Sequence, residues 1–101
     1  MNNIKYTSSD QASGTSFMGY LPTTYDKLVE LIGEPNCGPS GDGKVTCEWV
    51  LDINGTICTI YDWKCGSTPK DEYDWHIGGH NSKALEALEQ ALNHPVVAWT
   101  Y

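Results

Sequence analysis

The chain has 101 residues, enough for one small domain over 1–101 with a single core, and no run of about 18 apolar residues that would cross a bilayer. Its formal net charge is −7, and its six positive charges are all scattered lysines, with no arginine. That argues against direct nucleic-acid binding through a basic patch; it suits a protein kept soluble by its acidity, or one with a basic partner.

The N-terminus, MNNIKYTSSDQASG, lacks an apolar signal region, so a cytoplasmic protein is the simplest reading. Residues 1–14 read as a flexible lead, with SSDQASG (8–14) alternatively a loop between short strands. TSFMGY (15–20) has the composition of an edge strand. In LPTTYDKLVELIGEP, Thr23 followed by Asp26 resembles a capping box with a shortened acid. Leu28, Leu31 and Ile32 recur at helical spacing, and Gly33 followed by Glu34-Pro35 ends the run. These signals predict a helix over 24–32, short enough to need packing.

NCGPSGDG (36–43) is a loop. KVTCEWVLDI and TICTIYDWK then flank Asn54-Gly55, the strongest short hairpin signal. A two-residue turn there pairs Ile53 with Thr56, Leu51 with Cys58, Trp49 with Ile60 and Cys47 with Asp62. Alternation puts Cys47, Trp49, Leu51, Cys58 and Ile60 on a core face. Thr46, Glu48, Val50, Thr59, Tyr61 and Trp63 fall on the other. Asp62 ends the core face and needs a partner there.

GSTPKDEY (66–73) is a charged loop. DWHIGG (74–79) reads as a third strand that turns a corner at Gly78-Gly79. Asn81 suits the N-cap of a helix to about 93, with Ala84, Leu85, Leu88, Ala91 and Leu92 as its stripe. Pro95 stops it, and PVVAWTY is a last strand. The sum is an α+β domain: an antiparallel sheet of four or five strands with a central Asn-Gly hairpin and two helices on one face.

Cys37, Cys47, Cys58 and Cys65 show no C-x2-C spacing. Without a secretory signal they read as reduced thiols. A metal site from Cys65, His76 and His80 is conceivable but unsupported by spacing, and no cofactor is implied. No motif supports a Cys-His nucleophile pair, so the chain reads as non-catalytic.

Two places point to a ligand. At YDWHIGGHNSKALEAL, a glycine pair leads into a helix N-terminus, whose N–H groups and partial positive charge suit an anion. Gly78, Gly79, His80, Asn81, Ser82 and Lys83 would hold phosphate, with Trp75 and His76 stacking on a base. At YDWK, Tyr61 and Trp63 share a face that either stacks a flat ligand, with Lys64 beside it, or is covered by a helix or loop as core or rim packing.

YxxLxxxxGxP, KVTCEWVLDINGTICTIYDWK and WHIGGHNSKALEAL together resemble a family of small proteins from tailed bacteriophages and prophages. The likeness spans most of residues 20–92 and is densest at Tyr61–Lys64 and Trp75–His80. Such proteins are often counter-defence factors. The resemblance implies a protein in the host cytoplasm that sequesters a small nucleotide-like immune signal, with a homo-oligomer enlarging its pocket. The alternative is an acidic, anti-CRISPR-like inhibitor that binds a host defence protein.

Overall fold

The computed structural model describes residues 4–99. In chain order the elements are β1 (Ile4–Tyr6), a 3-10 helix (Ser9–Ala12), β2 (Ser16–Thr23), α1 (Tyr25–Ile32), β3 (Glu48–Ile53), β4 (Thr56–Tyr61), β5 (Tyr73–Gly79), α2 (Lys83–Leu92) and β6 (Val97–Ala98). The architecture is α+β. Six strands form one antiparallel sheet in the order β1-β3-β4-β5-β2-β6, where four or five strands are expected from the sequence.

β3 and β4 meet at Asn54-Gly55, both at positive φ (53° and 90°), which matches a tight turn to the twist of the strands. Across the pair Ile53 faces Thr56, Leu51 faces Cys58 and Trp49 faces Ile60. Alternation then sends Trp49, Leu51, Ile53, Cys58 and Ile60 to one side. They share a buried cluster with Leu21 of β2, Trp75 and Ile77 of β5, Leu28 of α1, and Ala84, Leu88 and Leu92 of α2. Each large side chain buried there contributes about 1.5–3 kcal/mol. The indoles of Trp49 and Trp75 meet edge to face at 5.5 Å, and their N–H groups donate to Gly33 O (2.8 Å) and Thr23 O (3.2 Å). Thus α1 is tied at both ends to the core tryptophans.

Several elements differ from the sequence reading. Residues 4–12 are no loose lead: β1 pairs with β3, and the Tyr6 hydroxyl donates to the carbonyls of Ile32 and Glu34. The 3-10 helix lies against β3 and β4. β2 is longer than 15–20 and is not an edge; it sits between β5 and β6. The cap of α1 is Thr24, whose hydroxyl accepts from Lys27 N–H at 3.1 Å, rather than Thr23. The Cys47–Asp62 pair lies just beyond the β3–β4 ladder. Only Val97 and Ala98 of the last segment are a strand, and Thr100 and Tyr101 lie outside the described residues.

The Gly78-Gly79 pair is the largest difference. Both glycines lie inside β5 and are paired on both sides, to Thr59 and Cys58 of β4 and to Phe17 and Ser16 of β2. Neither has positive φ. Glycine is needed for space: a Cβ on Gly79 would come 2.5 Å from Ala84 Cβ, and one on Gly78 would collide with Thr59 Oγ1. The pair lets α2 press on one face of the strand and β4 side chains lean over the other. Overpacking of this kind costs about 1–3 kcal/mol, so Gly79→Ala should lower the urea midpoint by that equivalent at unchanged m. A variant with wild-type stability would contradict the close approach.

Candidate functional site

β5 passes through the middle of the sheet, so its alternation decides which residues of WHIGG face outward. Trp75 points into the core and is fully buried, which removes it as a stacking platform. His76 points to the opposite face. His80 is exposed beyond the strand end, beside Gly14. The three aromatic side chains of the motif therefore do not converge.

The N-terminus of α2 is less open than expected. Asn81 Oδ1 accepts from Lys83 N–H at 2.9 Å, and the N–H groups of Ala84 and Leu85 donate to the carbonyls of Asn81 and Ser82 at 3.2 and 3.1 Å. Ser82 stands at the N-cap position but makes no side-chain capping bond. A recess of ≈ 260 Å³ lies alongside, lined by Gly55, Thr56, Ile57, His80, Asn81 and Lys83. Among the described residues no Trp, Tyr or Phe borders it, and His80 is the one ring there on which a base could rest.

The outer face of the sheet is different. Tyr61 of β4 faces His76 of β5, which faces Tyr20 of β2. Phe17 joins them because a bulge between Phe17 and Gly19 shifts the register. Two residues three apart thereby share a face. The His76 ring lies 5.1 Å from Phe17, 5.3 Å from Tyr20, 5.4 Å from Tyr61 and 6.5 Å from Trp63. Phe17, Tyr61, Trp63 and His76 line an open cleft of ≈ 310 Å³. A volume of that order is the lower end for small-molecule sites.

Two lysines border the cleft at Trp63. The ammonium groups of Lys44 and Lys64 each lie 5.7 Å from the Trp63 ring centre, within cation–π range. Their backbones are joined, since Lys64 N–H donates to Lys44 O at 2.6 Å. Lys64 holds left-handed φ (56°), a conformation that costs a side chain about 1–2 kcal/mol. The backbone at Trp63 is fixed in turn by its main-chain N–H, which donates to the Tyr73 hydroxyl at 3.1 Å. Burial and the neighbouring Cys65 push that hydroxyl up to about 12, so it stays protonated.

Asp62 between them is structural. It is fully buried, and its carboxylate accepts from Thr46 N–H (2.7 Å), Thr46 Oγ1 (2.6 Å) and Cys47 N–H (3.2 Å). Where the ladder ends, this side chain continues the tie between the two strands. His76 is the odd group. Its Nδ1 is shut off from solvent without a hydrogen-bond partner, as is Thr59 Oγ1. Burial lowers its pKa against the opposing pull of Asp62 and Asp74.

Of the sequence-derived residues, the structure gathers Tyr61, Trp63, Lys64 and His76. Gly78 lies on the same face, opposite Phe17 and against the Tyr61 ring, as spacing rather than as a phosphate holder. The structure does not bring Trp75, Gly79, His80, Asn81, Ser82 and Lys83 to that place. Phe17, Tyr20 and Lys44 are the ones sequence reasoning missed; Trp99 stands 5.5 Å from Phe17, outside the cleft lining. Among the described residues no cluster of three His, Cys, Asp or Glu side chains is placed to hold a metal ion, and no helix is long and apolar enough to cross a membrane. Comparison with protein-family models, curated proteins and solved structures gave no match.

Two outcomes follow for the groups that frame the cleft. Asp62→Ala leaves the buried Cys47 N–H and the half-buried Thr46 N–H without this acceptor, at about 1–3 kcal/mol for the buried one. It should therefore lower the thermal midpoint much more than removal of an exposed acid such as Asp71. The His76 ring should titrate below its ordinary 6.5 in an NMR pH series. Because the folded state holds its proton less tightly than the unfolded chain, His76 lends stability above about pH 6.5 that is lost as pH falls through its folded pKa. His76→Gln should flatten that part of the stability profile; an unchanged profile would contradict it.

Proposed function

We propose that this chain is a non-catalytic binding protein that captures a small nucleotide-like ligand on the outer face of its sheet. One observation carries the reading: stacking rings line the cleft of Phe17, Tyr61, Trp63 and His76, and two ammonium groups lie against one of them, Trp63. Two of only six positive charges in an acidic chain stand there, and one of them, Lys64, is on a backbone held in a costly conformation. A base stacked on Trp63 gains about 1–3 kcal/mol, and Lys44 and Lys64 meet its phosphate. The thiols support a non-catalytic role: burial raises Cys37 and Cys47, and pushes Cys58 up to about 12, so none of these three is a ready thiolate.

The proposed setting is phage counter-defence in the host cytoplasm, with the ligand an immune signal that the protein sequesters. This part rests on the resemblance of the YDWK and WHIGG stretches. The cleft is open on one side, and a homo-oligomer would close it. The alternative is an acidic inhibitor of a host defence protein, favoured by the exposure of Trp63, Val97 and Trp99. It would show as a salt-sensitive complex with one host protein and silence towards nucleotides.

Isothermal titration with mononucleotides, cyclic di- and trinucleotides and ADP-ribose derivatives tests the reading. At least one class should bind, and Trp63→Ala should weaken it by about 5- to 150-fold. Lys64→Gly should leave stability equal or higher, because it relieves the left-handed residue, yet weaken binding. No heat with any ligand, or wild-type affinity in Trp63→Ala, would refute it.

A further inference from the structure

The chain's four tryptophans divide two and two. Trp49 and Trp75 are fully buried in the core, whereas Trp63 and Trp99 are 41% and 44% exposed. The exposed pair stands at opposite ends of one aromatic stripe. Trp63 lies 6.5 Å from His76, His76 lies 5.1 Å from Phe17, and Phe17 lies 5.5 Å from Trp99. Trp63 is anchored through Tyr73. The backbone at Trp99 is anchored independently: its main-chain N–H donates to Met18 O at 3.0 Å, at the bulge of β2. β6 reaches that position because residue 19 is glycine; a Cβ there would collide with Val97 O. The fold thus holds two large rings partly exposed just beyond the ends of β4 and β6, with smaller rings between them.

We infer that Trp99 is a second stacking subsite, and that the ligand carries two planar heterocycles joined by an anionic linker, the chemistry of a dinucleotide. One heterocycle stacks on Trp63 and the other on Trp99. The linker crosses Phe17 and His76, and Lys44 and Lys64 meet its charge from the Trp63 end. This rests on the nucleotide-binding reading above and adds the number of bases to it. Lys44 and Lys64 stand at Trp63, so that end takes a single nucleotide alone, and Trp99 contributes when a second base is covalently attached.

The test compares 5′-phosphorylated dinucleotides of each of the four bases with the matching nucleoside 5′-monophosphates, by fluorescence titration. Trp49 and Trp75 are buried, so ligand-dependent quenching reports on the outer face. The wild-type chain should bind a dinucleotide about tenfold or more tightly than its mononucleotide. Trp99→Ala should abolish that margin and leave mononucleotide affinity unchanged, Trp99→Phe should restore part of it, and Trp63→Ala should weaken both ligands. Equal affinity of the two ligand classes, or a margin that survives Trp99→Ala, would overturn the second subsite and leave single-nucleotide binding standing. Absence of binding by every ligand would overturn both.

Discussion

The close approach of three elements at Gly78-Gly79 sets the terms for the rest of the molecule. β5 is central, with β4 on one side and β2 on the other, and its last two residues carry no side chain. On the inner face this admits Ala84, so α2 seats directly against the sheet. On the outer face it leaves room for Thr59 and Tyr61 to lean across the strand toward His76. The same backbone therefore closes the core on one side and opens the aromatic face on the other. A bulkier residue at either position pushes one layer away.

From that constraint the two faces acquire different chemistry. The inner one is filled by aliphatic side chains and by indoles whose N–H groups are bonded to backbone carbonyls. The outer one is filled by rings that are only partly covered, with an unpartnered imidazole nitrogen in their midst and lysines at one end. Stability alone does not ask for that arrangement. Trp63 is left partly exposed, and Lys64 adopts a backbone conformation that glycine would hold at lower cost. Local rules broken together at one place are what a binding surface looks like in a small domain.

The sequence made the inner layer legible. Alternation in KVTCEWVLDI and TICTIYDWK, with Asn54-Gly55 between them, identifies the side chains that fill the core, and the spacing of Leu28, Leu31 and Ile32 locates α1. It made the site only half legible. Gly-Gly followed by a capped helix has the pattern of a turn, and nothing local tells a turn from a crowded strand centre, since the crowding comes from Thr59 and Ala84, far along the chain. The bulge at Met18 is equally silent, yet it brings Phe17 beside Tyr20. Lys44 reaches Trp63 through a backbone bond between loops that no periodicity encodes. β1 escaped notice because three residues are too few to show alternation; pairing with β3 defines it.

The central claim is that ligand binds the outer aromatic face and not the N-terminus of α2. An 15N-resolved NMR titration with a nucleotide separates the two, because the four indole N–H groups and the backbone amides of His80 to Leu85 are read in one spectrum. The account predicts movement of the Trp63 indole signal, with Trp49, Trp75 and the amides at the start of α2 unmoved. Shifts concentrated at His80 to Leu85, with the Trp63 indole unchanged, would contradict it.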